Sequence, residues 1–119
     1  MELRYVTAGS ATAAVLEDGF IATVQDALDL IATASYQGAS GVVIPMERLS
    51  RDFFSLKTGF AGEMLQKFVN YGMRAAIVGD FSGFKSDSLK AFIRESNRSG
   101  HVLFTPSVEE AVSELTRRG

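Results

Sequence analysis

The chain has 119 residues, of which 46% are hydrophobic and 22% charged, the composition of one globular domain with its own core. Twelve basic and fourteen acidic residues give a net charge of −2, and the basic residues are scattered, so a nucleic-acid partner is not expected. The absence of cysteine excludes thiol catalysis, disulfides and thiolate metal sites.

Targeting and membrane segments are not expected either. No run approaches the ~20 apolar residues of a membrane-spanning helix, and residues 1–4 lack the basic start and apolar run of a signal peptide. The sequence therefore predicts a cytoplasmic protein without a membrane partner.

The first part of the chain predicts a hairpin, a helix and a buried strand. Residues 3–7 and 13–16 have strand-forming composition, and a Gly-Ser turn at 9–10 separates them. A helix with apolar residues at helical spacing begins after Thr23, its predicted N-cap. The all-apolar run at 41–45 is typical of a parallel strand buried on both faces.

The middle of the chain is less regular before it returns to helix and strand. Residues 46–58 carry only one short predicted helical turn, at 50–54. A longer helix is predicted over 59–71, followed by a buried strand at 75–79. The expected apolar face of that helix consists of Phe60, Met64, Leu65, Phe68 and Val69.

The last part predicts a helix capped by Ser86 or Asp87, a strand at 101–105 and a final helix. Ser107 and Glu110 match a capping box for the final helix. The order ββαβαβαβα predicts a single α/β domain over 1–119, with a mixed, mostly parallel five-stranded sheet and an N-terminal hairpin.

Several short runs carry a resemblance to a known family. They are VQDALDL at 24–30, DFF at 52–54, TG at 58–59, AGE at 61–63, LQKF at 65–68, NY at 70–71, AIVGDFS at 76–82, FI at 92–93 and ESN at 95–97. On these runs the chain resembles the domain of unknown function 4180 family over roughly residues 3–115. The resemblance implies no activity, because that family has no established one.

The element order is also similar to that of anti-sigma-factor antagonists, which have the STAS, or SpoIIAA-like, fold. In that fold a Ser-Gly-Leu-Gly type segment opens the helix after the third strand, and a hydroxyl near its start is a phosphorylation switch. The segment from Thr58 to Gly62 is a loose counterpart, in which two residues instead of one separate Gly59 from Gly62 and Lys57 replaces the usual acidic residue. The likeness implies a regulatory protein-interaction module.

The chain offers few groups for catalysis. The sole histidine, His101, begins an apolar strand, and no nucleophile elbow, P-loop, Gly-x-Gly-x-x-Gly or EF-hand spacing occurs. Glu47, Asp52 and Asp80 could hold a hard cation, but no spacing requires it. We therefore expect no catalytic residue, metal site or cofactor, and an enzyme is the least favoured class.

A candidate ligand site lies where the carboxyl ends of the parallel strands are expected to meet, the usual ligand edge of such sheets. Thr58, Asp80 and Ser82 would offer polar contacts there, and Gly59 and Gly62 would permit close backbone approach. The free backbone N–H groups at helix starts favour an anion. The alternative is that Asp80 and Ser82 form only a turn and that the glycines serve packing.

A candidate interface lies on the long central helix. Glu63, Gln66, Lys67 and Asn70 share one side of it by their spacing, and Tyr71 follows. This face would suit a second copy of the chain or another protein. A solvated face with a Glu63–Lys67 ion pair would explain the same pattern.

Four phenylalanines, Phe53, Phe54, Phe81 and Phe84, fall in loop-like segments, and exposed rings there would form a partner or ligand surface. Two function classes stay open. The first is a non-catalytic, STAS-like regulatory or interaction module that forms a homodimer or binds a protein partner. The second is a small-molecule-binding or anion-binding domain with its site at the carboxyl ends of the strands.

Overall fold

A five-stranded sheet forms the centre of the structure, a computed structural model that describes residues 1–117. The strands lie side by side in chain order, with the first antiparallel to the second and the other neighbours parallel. This confirms the predicted α/β fold with a mostly parallel sheet and an N-terminal hairpin. The strands are β1 Glu2–Ala8, β2 Ala11–Asp18, β3 Gly41–Pro45, β4 Arg74–Val78 and β5 Val102–Thr105.

Four α-helices accompany the sheet within residues 1–117. They are α1 Val24–Tyr36, α2 Phe60–Asn70, α3 Asp87–Ser99 and α4 Val108–Thr116. The irregular segment between β3 and α2 contains three short 3₁₀ turns, Met46–Arg48, Arg51–Phe54 and Leu56–Thr58. In the described part of the chain, no helix has the length and apolar character to cross a membrane.

Each face of the sheet has its own core. On one face, α1, α2 and α3 cover alternate strand residues such as Val42, Ile44 and Ile77. On the opposite face, α4 packs Ala111 and Leu115 against the other set of strand residues. Because both faces are covered, β3 and residues 75–78 of β4 are apolar, as their sequence patterns indicate.

Local sequence signals set where the helices begin. Thr23 and Asp26 form a reciprocal capping box at α1, and the Ser86 hydroxyl accepts from the Leu89 N–H at α3. At α4, the Ser107 hydroxyl accepts from the backbone N–H of Glu110, which is the Ser107 half of the predicted capping box.

Val69 departs from the predicted apolar face of α2. It is 52% exposed, whereas Phe60, Met64 and Phe68 are buried. An α-helix turns about 100° per residue, so the residue that follows the fully buried Phe68 points away from the sheet. The apolar stripe of α2 is therefore narrower than its sequence suggested.

Candidate functional site

A cleft of about 570 Å³ opens beyond the carboxyl ends of the central strands. Its walls come from the segments that follow β2, β3 and β4. The volume lies within the range of about 300–1,000 Å³ that small-molecule sites have. The lining side chains are Phe20, Met46, Glu47, Leu49, Arg51, Phe54, Ser55 and Phe84.

A short parallel bridge holds two of these walls together. The backbone N–H of Ile21 donates to the carbonyl of Arg48 over 2.8 Å, and the N–H of Ser50 donates to the carbonyl of Ile21 over 2.9 Å. Ile21 and Leu49 are buried, so this bridge holds the segment that carries Phe20 next to the segment that carries Leu49.

Gly79, directly after β4, allows Met46 to pack against the backbone at the base of the cleft. A Cβ at this position would lie only 2.4 Å from the Met46 sulfur and 2.9 Å from the Met46 Cβ. The glycine is therefore needed for close packing between the segments that follow β3 and β4.

A connected group of phenylalanine rings runs from the core to the cleft wall. Phe53 is fully buried and lies edge-on to Phe54, with ring centres 5.0 Å apart. Phe54 in turn stacks on Phe84 at 4.9 Å with an angle of 18° between the ring planes. Of the four loop phenylalanines, Phe53 therefore belongs to the core, while the half-buried Phe54 and Phe84 form a stacked aromatic pair in the cleft lining.

The polar side chains of the cleft are free to meet a ligand. Among residues 1–117, the side chains of Glu47, Arg51 and Ser55 have no hydrogen-bond or ion-pair partner. Arg48, by contrast, lies 3.9 Å from the Asp18 carboxylate and donates to the Gly19 carbonyl. The cleft thus combines an apolar interior with one cation, one anion and one hydroxyl.

The predicted ligand residues at the start of α2 lie outside the lining of this cleft. The Thr58 hydroxyl contacts the carbonyls of Asp52 at 2.8 Å and Ser55 at 2.9 Å, and it accepts from the Phe60 N–H. Gly59 adopts φ +79°, a left-handed conformation at the junction of the last 3₁₀ turn with α2. Gly62 is exposed, and a Cβ there would meet nothing within 4 Å.

Asp80 and Ser82 form a turn in the loop after β4, one of the two roles the sequence allowed. One Asp80 carboxylate oxygen accepts from the Ser82 hydroxyl at 2.6 Å and from the Ser82 N–H at 3.0 Å. These bonds, that of the hydroxyl first, lower the pKa of Asp80. Neither residue lines the cleft, so a ligand role for Thr58, Gly59, Gly62, Asp80 and Ser82 stays a prediction.

The cleft residues differ in how visible they are in the sequence. Phe54, Phe84 and the loop after β3 stand out as loop aromatics and as a strand terminus. Phe20 and Arg51 carry no such signal, because their positions depend on the bridge between Ile21 and Leu49. A pair of single bridging residues has no periodicity that a sequence pattern can reveal.

The candidate interface on α2 is exposed in part. The Gln66 amide donates to the Asn70 side chain over 2.8 Å, whereas Glu63 and Lys67 take part in none of the ion pairs among residues 1–117. Tyr71 is 66% exposed and shares a groove with Tyr36 of α1, which is 88% exposed.

His101 and the carboxylates considered as metal ligands are the remaining candidates for chemistry. A ring nitrogen of His101 lies 3.2 Å from the Phe68 carbonyl, which links the start of β5 to α2. Within the described range 1–117, no three His, Asp or Glu side chains are grouped so that they could hold a metal ion.

Comparison with known proteins places the chain in a family. No curated protein matches it, and no solved structure matches it. The model of one family, described as Domain of unknown function (DUF4180), matches residues 8–115. Because this match covers nearly the whole chain, the protein belongs to the DUF4180 family.

Proposed function

We propose that this protein is a small-molecule-binding domain whose ligand occupies the cleft at the carboxyl ends of the strands. The observation that carries the proposal is the cleft itself, about 570 Å³ in volume and lined by aromatic rings and by Glu47 and Arg51, whose side chains have no partner among residues 1–117. Small-molecule sites commonly combine a mostly apolar wall with a few polar groups that orient the ligand.

The position of the cleft gives independent support. In open parallel sheets, ligands bind outside the carboxyl ends of the strands, because the loops there can vary without disturbing the core. The cleft lies at that edge, and Gly79 and the Ile21–Leu49 bridge give it a well-packed base. It therefore needs little rearrangement to receive a ligand.

A fragment screen by thermal unfolding tests this proposal. Aromatic fragments that bind the folded protein raise its melting temperature, since a ligand at a hundredfold excess over its Kd adds about 2.7 kcal/mol of stability. Phe20→Ser removes a half-exposed wall of the cleft, and Tyr36→Ser is the matched control on a more exposed aromatic residue elsewhere.

We expect the stabilising fragments to raise the melting temperature of the wild type and of Tyr36→Ser but not that of Phe20→Ser. Equal increases in melting temperature for all three proteins would contradict the proposal. Loss of the shift in Asp80→Ala, with retention in Phe20→Ser, would instead favour the ligand residues predicted from the sequence.

A second candidate function is self-association as a regulatory module. It is supported by Tyr36 and Tyr71, two exposed tyrosines at the ends of adjacent helices, because tyrosine is enriched at protein interfaces. The ββαβαβαβα order is also the basis for the suggested STAS-like architecture. Native mass spectrometry would give a dimer that Tyr36→Ser combined with Tyr71→Ser dissociates; a monomeric wild type would contradict this function.

A further inference from the structure

We propose that the ligand of the cleft is a small organic anion, with a flat apolar or aromatic body and a carboxylate or similar acidic group. This inference rests on the proposed function and adds the chemical class of the ligand. Two separate features of the cleft carry it: its aromatic rings, and its charged side chains that have no partner among residues 1–117.

The aromatic wall favours a flat body. The rings of Phe54 and Phe84 stack on each other, with 18° between their planes, so the pair offers ring edges for contact with the face of a ligand ring. Phe20 contributes a third ring that is 52% exposed and therefore available for contact. Aromatic groups gain from offset stacking and edge contacts beyond the area they bury, so a flat ring system would use this wall well.

The unpaired donors favour a negative charge on that body. Arg51 presents a guanidinium without a partner among residues 1–117, and the half-buried Ser55, whose hydroxyl also has no partner there, belongs to the same cleft lining. Guanidinium groups bind carboxylates through two parallel hydrogen bonds, a geometry that an ammonium cannot copy.

A neighbouring groove adds a second cation close to the cleft. It shares Phe54 and Ser55 with the cleft, and its other lining residues include Lys57 and the hydroxyls of Ser86 and Ser88. Ser55 therefore lines both the cleft that contains Arg51 and the groove that contains Lys57. Glu47 is the acidic residue of the cleft lining, and it would pair with an organic cation if the inference were wrong.

Three fragments with the same ring system test the charge: naphthoate, naphthylmethanol and naphthylmethylammonium. Their dissociation constants are measured by NMR titration against the wild type, Arg51→Gln, Glu47→Gln and Phe20→Ser. Arg94→Gln is the matched control, since Arg94 is an exposed arginine of α3 that does not line the cleft.

We expect naphthoate to bind tightest. Arg51→Gln should raise its Kd about tenfold, the loss of one charge-assisted hydrogen bond, and should leave the alcohol unchanged. Arg94→Gln should bind all three fragments as the wild type does.

Two outcomes would overturn the inference while leaving the proposed function intact. One is tighter binding of naphthylmethylammonium that Glu47→Gln weakens, and the other is naphthoate binding unaffected by Arg51→Gln but lost in Phe20→Ser. If no fragment binds at millimolar concentration, or if Phe20→Ser binds all three as the wild type does, both the inference and the proposed function fail.

Discussion

Gly79 shows how a single missing side chain shapes the cleft. A methyl group at this position would overlap Met46, with three contacts between 2.4 and 3.0 Å. Since the Met46 Cβ is one of the contacted atoms, rotation of the methionine side chain alone does not relieve the overlap. The backbone after β3 must therefore move as well.

We expect Gly79→Ala to lower the free energy of unfolding by about 1–3 kcal/mol, the usual cost of overpacking. Urea denaturation measures this change in the free energy of unfolding. Gly83→Ala in the same loop is the control, because a Cβ there meets nothing within 4 Å, and it should change stability by less than about 0.5 kcal/mol. Equal stability of Gly79→Ala and the wild type would contradict the packing described for Met46.

Individual caps were predictable because they depend on residues close in sequence. Thr23 and Ser107 were identified as N-caps from their hydroxyls and from the side chains a turn later. Arg51 could not be identified as a cleft residue, because its role depends on contacts between segments distant in the chain. Local chemistry is thus readable from the sequence, whereas the composition of the cleft is not.

At the level of elements, the carboxylate of Asp26 stabilises the start of α1, and its pKa is lowered. Asp26 accepts hydrogen bonds from the N–H groups of Ala22 and Thr23, at 2.9 and 3.1 Å. These bonds, that of Ala22 first, lower the pKa of Asp26, although partial burial opposes them. The stabilisation is therefore complete above the pKa that Asp26 has in the unfolded chain, about 3.9, and is lost as the pH falls through the lower pKa of the folded state.

We expect Asp26→Ala to cost about 1 kcal/mol at neutral pH, as the loss of a helix cap does. The difference from the wild type should stay constant down to about pH 5 and shrink below the ordinary aspartate pKa. Urea denaturation at a series of pH values measures it. A difference that grows towards acid pH would contradict the capping role.

α3 stabilises the outer edge of the sheet through its side chains. The Ser96 hydroxyl donates to the carbonyl of Val102, and the N–H of Phe104 donates to the Asn97 side chain over 2.7 Å. These bonds satisfy backbone groups of β5 that face away from β4. They also leave fewer groups with which another strand could pair, a common protection of edge strands.

We expect Ser96→Ala to lower the free energy of unfolding by about 1–3 kcal/mol, because it leaves a buried carbonyl without its donor. Ser99→Ala, at an exposed serine of the same helix, is the control and should be close to neutral. Comparable stabilities of the two variants in urea denaturation would contradict the role assigned to Ser96.

At the level of the whole molecule, the order of the strands explains the unequal covering of the sheet. Because β2 to β5 follow one another in space, right-handed crossovers place α1, α2 and α3 on the same face. α4 lies beyond the last crossover and covers the opposite face. The alternation of strands and helices in the sequence predicts the sheet. It does not predict the face on which α4 packs, because α4 follows the last strand and packs on the apolar face that the other helices leave open.

The small residues of the sheet let α4 lie close to it. A Cβ at Gly41 would lie 3.2 Å from both terminal carbons of Leu115, and Leu115 is 4% exposed. Arg74 of β4 adds hydrogen bonds to the carbonyls of Gly100 and Glu114, at 2.9 and 3.2 Å for the closest of each. One guanidinium thus joins the sheet to the ends of α3 and α4.

We expect Leu115→Ala to lower the free energy of unfolding by about 2–5 kcal/mol, since it opens a cavity between α4 and the sheet. Val69→Ala is the control, because Val69 is 52% exposed and its truncation removes little packing. Urea denaturation compares the two. Similar losses for both variants would contradict the view that α4 seals the second face.

Intermolecular nuclear Overhauser effects between bound naphthoate and the protein test most directly whether the cleft is the binding site. We expect the naphthalene protons to show these effects with the rings of Phe54 and Phe84 and with Phe20. Contacts confined to Thr58–Gly62 and Asp80–Ser82, or to Tyr36 and Tyr71, would contradict the account, because each would place the ligand on a different surface.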